Sequence, residues 1–158
     1  MAGGQAKALQ PGDGRALTVL GNTFTLKVMA ADTEDSYAVI EVTSPPNGGL
    51  PPHKNTRESE THVILNGTYS FVLGTQTHKA APGAVFFVPR GTLHAFQNVG
   101  REAGQVLLIP SPGANNEALV ARLAERFGGG FPASGPDPAA LEALGALARQ
   151  YGVEPAIG

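Results

Sequence analysis

Several residue types are missing or scarce in this chain of 158 residues, and each absence excludes a kind of chemistry. There is no cysteine, so disulfides and thiolate chemistry are excluded, and any bound metal ion must be held by histidine, carboxylate, amide or water. Lysine and arginine number 11 against 13 aspartate and glutamate, without a basic cluster, so no nucleic-acid partner is indicated.

Long apolar runs are also missing. No stretch approaches the roughly 18 apolar residues of a transmembrane helix, and residues 1–14, MAGGQAKALQPGDG, lack the apolar core of a signal peptide. We therefore expect a soluble, cytoplasmic protein with no membrane partner. A chain of 158 residues is long enough for one domain with a sizeable core.

Glycine and proline are abundant, at 21 and 13 residues, and they separate short apolar runs instead of forming one block. This pattern favours many short strands over disorder. Alternating apolar residues predict about eight strands between residues 15 and 109, and Asn66-Gly67 predicts a hairpin between ETHVIL and TYSFVL. We expect an all-β fold, an antiparallel sandwich or jelly roll.

Two segments beyond residue 112 have helical periodicity. Asn115 or Asn116 is predicted to cap the first helix, and Asp137 followed by Pro138 begins the second. We expect their apolar stripes to cover the outside of the barrel or a partner subunit. The stripes are Leu119, Leu123 and Phe127 in the first helix, and Leu141, Leu144, Ala148 and Tyr151 in the second.

These patterns divide the chain into three parts. We predict a flexible N-terminal arm over residues 1–14, a β-barrel over 15–112, and a helical extension packed on the barrel over 113–158.

The segment 83–98, GAVFFVPRGTLHAFQN, organises the candidate site. Two apolar runs flank Pro89-Arg90-Gly91, which predicts a strand, a tight turn and a second strand that begins at His94. A histidine placed just past a rigid corner is aimed by the backbone, which suits a metal ligand or a general base.

Other polar residues lie upstream at a spacing of two. Side chains at i and i+2 of a strand share a face, so His53 and Asn55 point the same way, as do Glu58, Glu60 and His62. Glu58 belongs to the charged stretch KNTRESE, and we interpret it as a solvated loop residue. His78 is expected to be exposed at a hairpin end.

Two motifs resemble those of the cupin superfamily. The second cupin motif is matched at every position by Gly83, Pro89, Gly91, His94 and Asn98, and the first by His53, Glu60 and Gly67, with Asn55 where that motif has a second histidine. Residues 10–154 as a whole resemble small single-domain cupins related to bacterial quercetin dioxygenases. The resemblance implies a double-stranded β-helix (jelly-roll barrel) with a C-terminal pair of α-helices, and a homodimer.

The resemblance also implies a metal site. His53, Asn55, Glu60 and His94 would converge inside the barrel and hold one divalent ion, namely iron, nickel, cobalt or manganese, with zinc possible in a purified sample. Asn55 would be a weak fourth ligand or a hydrogen-bonding neighbour. Alternatively, His62 replaces the missing histidine, or the site is degenerate and binds metal weakly or not at all.

The implied activity is a dioxygenase acting on a flavonol-like or other aromatic or enol small molecule. Glu60 and His62 are the expected catalytic residues. One alternative is a non-redox isomerase, cyclase or lyase acting on a small polyketide or aromatic metabolite, and another is a ligand-binding module without catalysis. The expected substrate pocket is lined by His62, Phe71, Phe87 and Phe96, with Phe86 as the alternative to Phe87.

Overall fold

A computed structural model describes residues 4–130 and 134–156. They form eleven strands, a short 3-10 helix at Ala30–Thr33 and two α-helices, α1 (Ala114–Phe127) and α2 (Pro138–Gln150). The strands are β1 (Arg15–Val19), β2 (Asn22–Val28), β3 (Val39–Ser44), β4 (Gly49–Asn55), β5 (Ser59–Asn66), β6 (Tyr69–Leu73), β7 (Gln76–Ala80), β8 (Val85–Val88), β9 (His94–Asn98), β10 (Gly104–Ser111) and β11 (Val153–Pro155).

The strands make two antiparallel sheets, with orders β1-β2-β3-β10-β5-β8 and β11-β4-β9-β6-β7. The predicted all-β jelly roll with two C-terminal helices is confirmed. The predicted hairpin at Asn66-Gly67 is wrong, because β5 and β6 belong to different sheets. Gly67 has φ +93°, and this left-handed conformation, which glycine adopts readily, turns the chain from one sheet to the other.

The core lies between the two sheets and is built from the inward-facing residues of each strand. In β5, for example, Glu60, His62 and Ile64 are buried while the residues between them are only half-buried. Phe71 of β6 stacks on Phe86 of β8 with ring centroids 4.0 Å apart, joining the two sheets. Burying an aromatic or branched aliphatic side chain contributes about 1.5–3 kcal/mol, so this apolar core stabilises the barrel that carries the polar residues of β5.

The helices follow the predicted bounds closely, but the N-cap of α1 and the burial of one stripe residue in α2 differ from the prediction. Asp137 caps α2, with its Oδ1 accepting a hydrogen bond from the Ala140 amide at 2.7 Å. For α1 the N-cap is Gly113, so the predicted cap at Asn115 or Asn116 is wrong. In the stripe of α2, Leu141 is exposed, contrary to prediction.

The chain ends by returning to the barrel. After α2, Gly152 at φ +74° turns the chain into β11, which pairs with β4 so that Val153 is opposite Asn55 and Pro155 is opposite His53. The helical tail is thereby attached to a strand that carries candidate site residues.

The predicted division at residues 14 and 112 stays a prediction. Parts of the arm and of the extension, at 1–3, 131–133 and 157–158, lie outside the described residues. Neither of the helices within 4–130 and 134–156 is long and apolar enough to cross a membrane.

Candidate metal centre and its cavity

Three predicted metal ligands meet between the sheets. His53 of β4 and His94 of β9 are paired across one sheet, with ring centroids 4.2 Å apart, and Glu60 approaches from β5 of the other sheet. One potential ligand atom from each residue lies within 4.8 Å of the other two. A single metal ion could therefore bind all three residues.

Backbone carbonyls orient both imidazoles of this cluster. His53 Nδ1 is 2.7 Å from the Pro51 carbonyl oxygen, and His94 Nδ1 is 3.0 Å from that of Thr92. With Nδ1–H donating to the carbonyl, each neutral ring presents its Nε2 lone pair, as metal-bound histidines commonly do. The Pro-Arg-Gly turn thus supplies, through Thr92, the partner that orients His94.

Glu60 and His94 are electrostatically coupled. Glu60 Oε1 lies 3.2 Å from His94 Nε2, and Glu60 is 3% exposed. Burial opposes ionisation of Glu60, but the hydrogen bond from His94 and the charges of the neighbouring imidazoles outweigh it and lower its pKa. Burial likewise opposes protonation of His94, and the contact with Glu60 overcomes it and raises the pKa of His94. A metal ion that binds here would therefore displace a proton.

Asn55 is buried in the same place. Its Nδ2 lies 3.5 Å from His94 Nε2, and its backbone carbonyl accepts a hydrogen bond from the Gly91 amide at 2.8 Å. The hydrogen bond from Gly91 connects the turn of the second motif directly to the strand that carries the first motif. The side-chain amide of Asn55 is close enough to the cluster to be a fourth ligand or a hydrogen-bonding neighbour, and that role stays a prediction.

His62 lies behind the cluster, on the same face of β5 as Glu60. Its Nε2 is 3.7 Å from Glu60 Oε2, and its ring packs edge-on against Phe71 and Phe96 at centroid distances of 5.1 and 5.7 Å. Neither ring nitrogen has a hydrogen-bond partner in the described part of the chain. Burial lowers the pKa of His62 to about 4 despite the nearby carboxylate, so the ring is neutral at pH 7.

The donor atoms present fit a divalent metal ion. Two imidazoles and one carboxylate form the two-histidine, one-carboxylate set that suits iron, manganese, nickel or cobalt and leaves positions open for other ligands. Glu60 Oε1 is one of the buried polar atoms that have no well-aligned hydrogen bond to any residue described in the structure. Such atoms are costly to leave unsatisfied, and coordination of a cation would satisfy this one.

The predicted aromatic pocket is only partly observed. Phe71 and Phe96 are buried, and they surround His62 within the main core. Phe87 is 60% exposed, so its placement in the pocket is wrong. The reason is the period of two, because Phe86 is paired with His62 and faces inward, whereas Phe87 is paired with Thr61 and faces outward.

A cavity of about 120 Å³ opens beside the cluster, with His53, Asn55 and Glu60 among its lining residues. None of the four predicted pocket residues lines it. Most of its walls are aliphatic, and many of the side chains come from the two helices. The helical stripes, which were expected to cover the outside of the barrel or a partner subunit, thus also line this cavity. The helix residues that line the cavity are Asn116, Leu119, Val120, Leu123, Leu144 and Ala148.

The sequence analysis did not predict a buried polar contact between Glu58 of the barrel and Asn115 of α1. Glu58 is 1% exposed, so its interpretation as a solvated residue is wrong, and its Oε2 accepts a hydrogen bond from Asn115 Nδ2 at 3.0 Å. Burial raises the pKa of Glu58, while hydrogen bonds from Asn115 and Asn116 oppose that effect. The spacing of two that places Glu58 on the same face as Glu60 and His62 could have indicated that Glu58 is buried.

Two depressed histidine pKa values predict acid sensitivity of the metal-free protein. Burial lowers the pKa of His53 and of His62 to about 4, against an ordinary 6.5. Between these values the unfolded chain binds protons that the folded chain does not, so stability falls as the pH drops from 6.5 to 4. Buried His62 contributes up to about 1.4 kcal/mol per pH unit, and partly exposed His53 contributes less.

His94 acts in the opposite direction, because its raised pKa stabilises the fold below its ordinary value and that contribution is lost as the pH rises through the raised one. We expect the melting temperature of EDTA-treated protein to decline from pH 6.5 towards pH 4, and to decline less steeply in His62→Phe. An equal slope in the two proteins would contradict the assignment of the effect to His62.

A comparison with known protein families finds a cupin domain within the chain. Residues 40–110 match the family profile described as a cupin domain. Over 102 residues, or 65% of this chain, the sequence is 26% identical to the mannose-1-phosphate guanylyltransferase RfbM of Salmonella typhimurium (strain LT2). The match spans about one fifth of the length of that relative, 21%.

Solved structures share the fold at low sequence identity. A RmlC-like cupin from Shewanella frigidimarina superposes with a TM-score of 0.60 at 12% identity, over 74% of this chain and 99% of that one. The polyketide cyclase RemF from Streptomyces resistomycificus does so with a TM-score of 0.58 at 24% identity, over 68% of this chain and 80% of that one. With the two sheets in place, these findings show that the chain has the cupin fold and that residues 40–110 match a cupin domain.

Proposed function

We propose that this protein is a metal-dependent cupin enzyme, a quercetinase-like dioxygenase that acts on a flavonol-like or other aromatic or enol small molecule. One divalent ion would be held by His53, Glu60 and His94, with Asn55 as a weak fourth ligand. The observation that carries the proposal is the cluster itself, three ligand atoms within 4.8 Å of one another beside a largely apolar cavity.

The residues of the chain have distinct parts in this proposal. The lowered pKa of Glu60 keeps its carboxylate ionised at neutral pH, ready to hold the metal or to accept the proton of a substrate hydroxyl. The bound metal would supply Lewis-acid polarisation of the substrate oxygen and a site for oxygen activation. The aliphatic walls of the cavity would hold the apolar body of the substrate and exclude water.

The proposal is tested by oxygen uptake. Protein loaded separately with iron, nickel, cobalt or manganese is mixed with quercetin in an oxygen electrode. We expect uptake of oxygen in step with the loss of the flavonol absorbance, and no uptake after metal removal. Loss of flavonol without oxygen uptake would contradict the dioxygenase proposal and favour a non-redox reaction, whereas flavonol binding without any turnover would favour a ligand-binding module.

A second candidate function is a non-redox isomerase, cyclase or lyase acting on a small polyketide or aromatic metabolite. The observation that favours it is the pair formed by Glu60 and His62, with Oε2 and Nε2 3.7 Å apart and, within residues 4–130 and 134–156, no hydrogen-bond partner for either nitrogen of His62. An ionised carboxylate beside a neutral imidazole is suited to moving a proton between two atoms of a substrate. Turnover under nitrogen that His62→Phe abolishes would support this candidate.

We also propose that two copies of the chain associate through the outer face of β8. This strand is an edge of its sheet, and Val85 and Phe87 on its outer face are 61% and 60% exposed. An exposed edge with large apolar side chains favours pairing with a second strand of the same kind.

Phe87→Glu is expected to convert such a dimer into a monomer, because it places a charge in the apolar contact. Light scattering after size exclusion gives the mass of the particle. Val99→Glu is the matched control, since Val99 is 49% exposed but follows directly after β9, a strand of the other sheet. A wild-type monomer would contradict the proposal.

A further inference from the structure

We propose that Asn116 of α1 is a substrate-binding residue whose Oδ1 accepts a hydrogen bond from a hydroxyl or N–H group of a largely apolar ligand bound beside Glu60. This inference rests on the proposed function and adds to it a specificity determinant contributed by the helical tail. It also defines the ligand class, an apolar molecule with a hydrogen-bond donor apart from its metal-binding oxygen atoms.

Asn116 combines burial, an unsatisfied acceptor and a position at the site. It lines the cavity that His53, Asn55 and Glu60 also line. The residue is only 7% exposed, and its Oδ1 has no hydrogen-bond partner among the described residues. A buried carbonyl oxygen without a partner costs free energy, so a ligand that donates to it would be bound more tightly than one that does not.

The neighbouring residues orient this amide. Asn116 hydrogen-bonds with the Glu58 side chain, which also accepts from Asn115 Nδ2. A carboxylate only accepts hydrogen bonds, so the NH₂ group of Asn116 must face Glu58, and Oδ1 is left as the free end of the amide. Asn115 is itself held by Arg57, whose Nη1 donates to Asn115 Oδ1 at 3.1 Å. The orientation of Oδ1 is thus imposed by the barrel.

The cavity walls specify the rest of the ligand. Apart from the cluster and Asn116, they are almost entirely aliphatic and proline side chains, including Leu119, Leu123 and Leu144. Such walls favour an apolar body and give no cation to pair with a phosphate or a second carboxylate. A lone acceptor oxygen selects a donor group and disfavours an anion at that position. A hydroxylated aromatic ligand meets all of these conditions.

The test measures equilibrium binding under nitrogen, so that it does not depend on turnover. The probes are quercetin and 3-hydroxyflavone, which share the metal-binding hydroxyl and carbonyl but differ in the further hydroxyl groups. We expect metal-loaded wild type to bind quercetin about tenfold more tightly, the size expected for one buried neutral hydrogen bond. In Asn116→Leu, which is close in volume but has no polar atom, that preference should disappear.

The variant Asn115→Ala distinguishes a direct contact between Asn116 and the ligand from an indirect effect through the anchoring of α1 on the barrel. It removes a hydrogen bond to Glu58, and Asn115 is not among the residues lining the cavity. If anchoring alone matters, both variants will shift binding of the two probes by the same factor, which would overturn the proposal. Metal content and melting temperature of each variant are measured alongside to detect loss of the site or of the fold.

The remaining outcomes are decisive as well. A wild type without preference, a preference retained in Asn116→Leu, or failure of both probes to bind would each overturn the proposal. Binding with the expected preference but without oxygen uptake would leave Asn116 assigned and would reject only the dioxygenase activity.

Discussion

Replacing His94 by alanine is expected to empty the metal site. His94 contributes one of the three ligand atoms within 4.8 Å, and its orientation is set by the Thr92 carbonyl. Residues that merely orient a ligand are worth about 10- to 100-fold in metal affinity, so loss of a ligand itself should weaken binding by at least about 100-fold. Elemental analysis of protein purified without added metal should show near-stoichiometric metal in the wild type and almost none in the variant.

Two further variants make this experiment specific. His78→Ala removes a histidine that lies outside the cluster, near Phe86, and should retain the metal. His53→Ala removes a second ligand from a partly exposed position, where the cost to folding is smaller than at fully buried His94. Retention of metal in both cluster variants, or a wild type purified without metal, would contradict the proposed centre and leave the Glu60 and His62 pair as the candidate for catalysis.

Replacing Glu60 by glutamine is expected to lower turnover about 10²- to 10⁴-fold, the range that a positioned general base contributes. Glutamine keeps the size of the side chain but removes the negative charge that holds the proton of His94. The variant should also bind metal less tightly, so oxygen uptake must be expressed per bound metal ion. This normalisation separates the proton-accepting part of Glu60 from its part as a ligand.

The control for loss of charge is Glu154→Gln. Glu154 lies on β11 opposite Lys54, close to the site-bearing strand, but its side chain is exposed and does not line the cavity. Turnover of this variant should match the wild type. If Glu60→Gln keeps turnover per metal ion within tenfold of the wild type, Glu60 is not the base, and His62 becomes the residue to replace.

Much of the fold and of the cluster was predictable because it depends on local patterns. The period of two placed Glu60 and His62 on one face of β5, and Pro89-Arg90-Gly91 marked the corner that precedes His94. The same period also places Glu58 on the inward face, where it is buried, but the charged residues around it suggested a solvated loop. Burial of a carboxylate depends on partners far away in sequence, here Asn115 of α1.

Choices between equivalent local patterns were not predictable. Either Phe86 or Phe87 could face inward until the pairing of β8 with β5 set Phe86 opposite His62. Asn66-Gly67 is compatible with a hairpin and with a crossing between sheets, and long-range pairing of β5 with β10 selected the crossing. In each case the local energies are similar, and contacts between distant segments determine the result.

The sequence by itself determined the strand periodicity, the two motifs, the absence of thiol ligands and the identity of the available donor atoms. Only the tertiary structure decided which donors meet, and it brought His53 and His94 of one sheet within reach of Glu60 on the other. It also decided what the helices do, because pairing of β11 with β4 brings the tail to the site, and Asn116 and the leucines of the stripes line the cavity. An amphipathic helix specifies that one face will be buried, but the surface that it covers depends on the whole chain.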